Sequence, residues 1–240
     1  MTDRPTLPEE LLLLALDPVR GKPLCRWRYL EYGLAGAVLA ELELQGRITE
    51  ERGRVHVANP LDPPDPLLAV FLRSLPAPAK SRFRGGVSAR GWVRHAGRQA
   101  QGLYLDALVQ RGLLRRETRR FLGLLPYHRH LPGHGGLSAH IREHFAAAGG
   151  AGFPDRRDRL LAAVAAAVEL PSAIGQGDRR TRSAMRALAR QEWPALAVHR
   201  NVSQDKAGQN GGGGVGGGNG GDRSGGVSGG VSGGGGGSGD

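Results

Sequence analysis

The sequence predicts a mainly α fold: buried central helices wrapped by amphipathic helices, with short β-hairpins and a disordered Gly-rich tail. Three observations predict it. In Tyr29 to Gly46, YLEYGLAGAVLAELELQG, Leu30, Leu34, Val38 and Leu42 fall four apart and stack on one helix face. Further stretches, among them DRRDRLLAAVAAAVEL and DRRTRSAMRALAR, read as amphipathic helices. From Asn201 onward the chain is mostly Gly with Ser, Asn and a few Val, too entropic and too polar to add to a core. The expected organisation is one helical domain over 1–200, enough for a single core, and a tail over 201–240.

Each element follows from local chemistry. Thr6 with Glu9 has capping-box spacing ahead of EELLLLALD, the first and mostly buried helix. DPVRGKP breaks it as a loop or short hairpin. Leu24-Cys25-Arg26-Trp27-Arg28 leads into the central helix. That helix contains Gly33, Ala35, Gly36, Ala37 and Ala40, small residues that admit a close neighbour. An internal glycine costs roughly 1 kcal/mol against alanine, so close packing is the expected compensation. Gly46 stops the helix. RITEERGRVHV then alternates around Arg52-Gly53, a hairpin signal.

Asp65-Pro66 opens PLLAVFLRSL with a cap and a first-turn proline. KSRFRGG is a basic loop. From about Val87 the chain is helical to Gly112, with Leu103, Leu105, Leu108 and Val109 inward and Arg94, Arg98 and Gln101 on one polar face. LLRRETRRFLGLLPYHRHLP is a second hairpin, with Glu117-Thr118 near its turn and Phe121, Leu122, Leu124 and Leu125 on the return strand. LSAHIREHFAAA forms a helix from about Ser138, followed by an AGGAGF linker. Asp178 to Arg190 places Met185, Leu188 and Ala189 inward. EWPALAVHRNV is a last short helix with Trp193 as a core anchor.

The formal charge is +11, and Lys22, Lys80 and Lys206 are the only lysines, so the excess is arginine. Such a surplus attracts anions, a lipid surface or nucleic acid, without fixing a fold. Cys25 is the only cysteine, which excludes an internal disulfide and cysteine-based zinc clusters. The N-terminus, MTDRPTLPEE, lacks a signal pattern, and no apolar run approaches the ~20 residues that span a bilayer. The expected location is cytoplasmic, with membrane contact from the surface.

The chemistry of catalysis is hard to find. There is no GxxxxGK[ST], no strand-linked GxGxxG, no GxSxG and no HExxH. His140 and His144 lie one turn apart, and His128, His130 and His134 fall in one loop, but Ile141 and Arg142 fill the inner positions of the helical pair. Neither a metal nor a cofactor is expected, and the chain does not read as an enzyme. Trp27 between two arginines has two readings: a rim residue on the core, or an aromatic wedge with basic flanks suited to a membrane interface.

LPEELLLLALDPVRG, YGLAGAVLAELELQGRI, DPLLAVFLRSL and LYLDALVQRGLLRRETRRFLGLLP, in this order, resemble a bacterial branch of the Golgi phosphoprotein 3 family, also called GPP34. The likeness covers roughly residues 5 to 200. It implies a helical monomeric domain that binds membranes peripherally through the phosphatidylinositol 4-phosphate headgroup. In eukaryotic members the pocket uses a tryptophan before the central helix, an arginine in Gly-Leu-Arg-Gly, and two arginines three apart on a later helix. Here an ungapped register puts Arg26 at the tryptophan position, and a one-residue slip restores Trp27. Ala35 stands at the motif arginine, Arg98 matches the first of the later pair, and Gln101 replaces the second.

The lipid-headgroup residues implied are therefore Trp27 and Arg98, with Arg94, Arg26 and Arg28 supplying the missing charge. The partner implied is an anionic phospholipid surface with a phosphoinositide-like headgroup. Self-association through the 113–126 hairpin is a further implication. The alternative is a winged-helix-like nucleic-acid-binding protein, in which LVQRGLLRRETRRFLGL forms helix and wing.

Overall fold

The computed structural model describes residues 4–76, 86–121, 125–133, 135–170 and 179–210. Among them the chain is mainly helical, with two small antiparallel sheets. The helix α2 (Trp27–Leu44) is the axis. Leu30, Leu34, Val38 and Leu42 are fully buried, as their spacing predicts. Around α2 pack α1 (Leu7–Ala15), α4 (Ala89–Gln110), α6 (Arg156–Ala167) and α8 (Trp193–Asn210).

The glycines of α2 are contact points. A Cβ on Gly33 would lie 2.7 Å from Val168 Cγ1, and one on Gly36 would overlap Val198 Cγ2 on α8. Overpacking of that kind costs about 1–3 kcal/mol, more than the helix propensity a glycine forfeits. The close approach expected from the small residues is observed. A third glycine works from the other side: a Cβ on Gly97 of α4 would lie 2.9 Å from the Glu31 carbonyl oxygen of α2.

Arginines tie the ends of α1. At its start, the Thr6 N–H donates to Glu9 Oε2 at 2.8 Å and the Leu7 N–H to Glu41 Oε2 at 2.8 Å. Arg157 of α6 donates to Glu41 Oε2 at 2.8 Å and to the Pro5 carbonyl at 2.6 Å, and pairs with Glu10 at 3.6 Å. Burial pushes the Glu10 carboxyl above its ordinary value, against the pull of Arg157 and Arg4. At the other end, Arg142 of α5 (Leu137–Gly150) donates to the carbonyls of Leu13, Leu14 and Leu16, groups with no partner within their own helix.

Asp65 caps α3 (Pro66–Arg73) by accepting from the Leu68 N–H at 2.8 Å. Phe71 stacks on Tyr104 of α4, ring centroids 6.2 Å apart, and meets Trp92 edge-on. In α7 (Arg179–Gln191), Met185 and Ala189 are buried, as expected, and Leu188 packs partly against the core.

The first hairpin joins β1 (Ile48–Glu51) to β2 (Arg54–Val57) through Arg52 and Gly53, at φ 52° and 79°. That is the left-handed two-residue turn which the alternation around Arg52-Gly53 predicts. Val87 departs from the expectation. It pairs in β3 (Val87–Ser88) with β2, and α4 starts after Ser88, whose hydroxyl accepts from the Gly91 N–H.

The second hairpin is longer than expected. β4 (Leu114–Phe121) pairs with β5 (Leu125–Pro132), so its connection spans 122–124. Glu117 and Thr118 sit in mid-strand opposite Arg129 and His128, and Phe121 ends the outgoing strand. A two-stranded ribbon has charged residues along its strands, so a run of charges there does not mark a turn.

Two helices outrun their expected ends. α5 continues through Gly149-Gly150 and ends ahead of the left-handed Gly152, with Phe153 and Thr181 closing over Gly149. The last helix is 18 residues long and reaches Asn210, well into the stretch assigned to the tail. Asn201 there is fully buried: its amide donates to the Arg90 carbonyl at 3.0 Å and the Ala197 carbonyl at 3.2 Å. The rest of the tail, most of the basic loop before Val87, Leu122, Leu124 and His134 lie outside the described residues.

Candidate functional site

Between α4, the start of α2 and the second hairpin lies an open cleft of about 1020 Å³. One face of α4 forms its floor: Arg98, Gln101, Gly102, Leu105 and Asp106 recur at helical spacing. Trp27, the first residue of α2, stands at one side, packed partly on the core. The hairpin forms the far bank with Arg116 from β4 and Tyr127, His128 and His130 from β5. Lys22 and Pro23 come from the loop between α1 and α2.

That loop is held in place by its backbone. Asp17 accepts from the Val19 and Arg20 N–H groups, each at 2.8 Å, and the Arg20 bond above all holds its carboxyl below the ordinary carboxylate value. Gly21 has φ 62°, and its carbonyl accepts from the His130 N–H at 2.8 Å. A Cβ on Gly21 would lie 3.0 Å from that same nitrogen, so the loop docks on β5 only with glycine there. Docking sets Lys22 Nζ 5.3 Å from the centre of the Tyr127 ring, a cation–π distance.

The electrostatics of the cleft are one-sided. Arg98 has no hydrogen-bond or ion-pair partner among the described residues, and Arg116 pairs with Asp106. His130 is 5 % exposed, meets the Trp27 ring edge-on at 6.4 Å, and has neither ring nitrogen bonded among the described residues. Burial, then Arg116 and His128, lowers its pKa below the usual histidine value, against the weaker pull of Asp106. His128 is exposed and lies 3.2 Å from the Thr118 hydroxyl.

Of the five residues expected at a headgroup site, the structure brings Trp27 and Arg98 to one cleft, which Gln101 of α4 also lines. Arg26, Arg28 and Arg94 turn away, toward α8. Arg26 covers the Tyr29 ring and donates to Gln209. Arg28 covers the Tyr32 ring, donates to the Tyr32 hydroxyl and to Glu31, each at 2.8 Å, and approaches Asp205 at 3.8 Å. Arg94 donates to Gln204 at 2.8 Å. Ala35, at the position of the family's motif arginine, is buried in the core.

Residues 7–204 match the family model of Golgi phosphoprotein 3 (GPP34). The chain belongs to the Golgi phosphoprotein 3 family. No curated relative matches it at a significant level. The match runs from the start of α1 into α8 and takes in both hairpins of this GPP34 protein.

Other chemistry finds little footing. No described helix is long and apolar enough to cross a membrane. No group of three or more His, Cys, Asp or Glu among the described residues is placed to hold a metal. His144 instead meets Asp158 at 3.0 Å. Burial pushes the Cys25 thiol up to about 12, with Glu169 adding to the shift, so it stays protonated and unreactive at neutral pH.

Lys22, Arg116, Tyr127, His128 and His130 are the cleft residues that sequence reasoning missed. His128 and His130 carried a usable signal. Two residues apart on a strand, they lie on one face. They were read as part of a loop, and the period was lost.

Proposed function

We propose that this GPP34 protein is a peripheral membrane-binding module whose cleft takes an anionic lipid headgroup, of the phosphatidylinositol 4-phosphate kind by family resemblance. The observation that carries this reading is the convergence of Trp27 with Lys22 and with Arg98, which has no partner among the described residues, in one open cleft. Fixed positive donors suit a phosphate, and an indole beside them suits the interface, where an amphipathic ring rests at headgroup depth.

The site is rebuilt relative to the eukaryotic pattern. Ala35 is buried and Gln101 is neutral, and the charge beside Arg98 comes instead from Lys22, while Arg116 is paired with Asp106. This favours recognition of anionic headgroups as a class. The role is one of binding, with the location a membrane surface. Self-association through residues 113–126 belongs to the same proposal, and sedimentation with and without that hairpin's charges tests it.

Vesicle flotation tests the main reading. Vesicles of phosphatidylcholine alone, with phosphatidylglycerol, and with phosphatidylinositol 4-phosphate are compared at low and physiological salt. Binding to the anionic vesicles is expected, falling with salt because charges beyond ~8 Å are screened. Failure to float with any anionic vesicle at low salt rejects it. The nucleic-acid alternative has less support. Arg115, Arg116 and Arg119 of β4 are each ion-paired, and α2 is buried along most of its length.

A further inference from the structure

Buried polar side chains in folded proteins find hydrogen-bond partners, so one without them at the wall of a cleft calls for an explanation. His130 is such a group. Its backbone is pinned to the Gly21 carbonyl and its ring is braced by Trp27, yet both ring nitrogens are bare. The ring lines the same cleft as Arg98.

The charged and titratable groups facing this cleft come from every element around it. Lys22 lies on the α1–α2 loop, Arg98 and Asp106 on α4, Arg116 on β4, and Tyr127 and His128 on β5. With the cleft empty, burial first, then Arg116 and His128, disfavour a positive charge on His130, against the weaker pull of Asp106. An anion seated beside Lys22 and Arg98 reverses that field. It also offers acceptor atoms to a ring N–H. Opposite charge at close range favours the protonated imidazole.

We infer that His130 is the proton-operated contact of the cleft: it takes up a proton as an anion binds and then donates to it, so that the site tightens as pH falls. This rests on reading the cleft as an anion site, and not on the anion's being a lipid. Linkage fixes the sign. Binding raises the His130 pKa, so the added affinity is complete below the pKa of the free protein and is lost as pH rises through the pKa of the complex. Burial holds the free value below the ordinary histidine value, so the window opens on the acid side of neutrality. Each unit of upward shift is a tenfold gain in affinity across that window.

The test uses the full chain and two probes. The first is sulfate, whose charge stays fixed where histidine titrates. The ring C–H resonances of the eight histidines are followed against pH with and without sulfate, and the His130→Gln variant assigns the signal. The expected result is a rise of about one unit in the His130 pKa with sulfate, and sulfate binding about tenfold tighter at the acid end. His130→Gln should bind sulfate with little pH dependence, while His128→Gln keeps it. A His130 signal that sulfate does not move overturns the inference without recourse to any variant. So does a pH dependence that survives in His130→Gln, or sulfate that fails to bind at all. The second probe, phosphatidylglycerol vesicles, separates the two readings. Sulfate that shifts His130 beside vesicles that do not bind removes the lipid and keeps the proton-linked contact. Vesicle binding that is flat with pH while His130 stays unmoved removes the contact and keeps the lipid.

Discussion

Two groups of basic side chains flank Trp27, and they have opposite fates. Arg26, Arg28 and Arg94 lie against tyrosine rings, Glu31 and the amides and carboxylate of α8. Arg98 and Lys22 face an open cleft with no ion-pair partner among the described residues. In sequence both groups look alike, a tryptophan with arginines nearby. The comparison teaches that the count of charges says little about a site, and the inventory of their partners says more. A guanidinium whose donors are met by carboxylate, amide or hydroxyl holds the fold together. One left open in a concave surface is free for a ligand.

The comparison extends furthest at Arg157, a largely buried arginine held by carboxylates. It joins Glu41, Glu10 and the Pro5 carbonyl beneath α1, with its side chain 14 % exposed. Arg157→Ala leaves two buried carboxylates without their cation. The expected loss is about 3–5 kcal/mol in denaturant unfolding. It should be smaller in mild acid than at neutral pH, because Glu10 already has a raised pKa and Arg157 is the main group pulling it down. A carboxyl that protonates more readily folded than unfolded costs stability above its unfolded pKa, and the cost lifts as pH falls. A deficit that is flat with pH would show that the carboxylates do not titrate as a pair with Arg157.

The next largest effect concerns the segment that answers Arg26, Arg28 and Arg94. Ending the chain after Asn210 should leave thermal stability unchanged, since what is removed is almost all Gly and Ser. Ending it after Arg200 removes the fully buried Asn201 and the nearly buried Val202, with Gln204, Asp205 and Gln209. The loss should be on the order of 3 kcal/mol, roughly 6–12 °C in Tm for a domain of this size. Equal melting temperatures for the two truncations would undo the claim that α8 is what pairs these arginines.

This segment also explains where the sequence was readable and where it was not. The α2 spacing, the Asp65 cap and the Arg52-Gly53 turn are local signals, and the structure keeps all of them. Residues 201–210, NVSQDKAGQN, offer one large apolar side chain and a glycine, so composition placed them in the tail. What makes them helical is tertiary: Asn201 bonds a carbonyl of α4, and Asp205 accepts from the Tyr32 hydroxyl at 2.9 Å. The site was misjudged for the same reason. With α8 cut short, Arg26, Arg28 and Arg94 had no visible partners and seemed available. The hairpin bank is hidden in sequence because charges inside β4 resemble a turn, which shifts His130 from a strand into a loop.

A smaller effect is expected at Arg28 alone. Its guanidinium is 41 % exposed and shares Glu31, Tyr32 and Asp205, so solvent screens each interaction. Arg28→Ala should cost about 1 kcal/mol and leave binding to phosphatidylglycerol vesicles within about twofold of the parent, a change of ~0.4 kcal/mol. A tenfold loss of vesicle binding without loss of stability would move Arg28 into the site and erase the distinction between the two groups.

The smallest stability effect and the largest functional one should coincide at Arg98. Its side chain is exposed and unpartnered, so Arg98→Ala should change unfolding free energy by no more than about 0.5 kcal/mol. The same change removes a cation on the cleft floor that no carboxylate among the described residues answers. Charge-assisted contacts to phosphate are worth roughly 1.5–3 kcal/mol, so vesicle binding at low salt should fall by at least tenfold. Lys22→Ala should follow it more weakly, since its ammonium already rests on the Tyr127 ring and gives up part of that contact to reach a ligand. If Arg98→Ala instead lowers stability and spares binding, then Arg98 belongs with Arg28, and the cleft has lost the feature that marks it as a site.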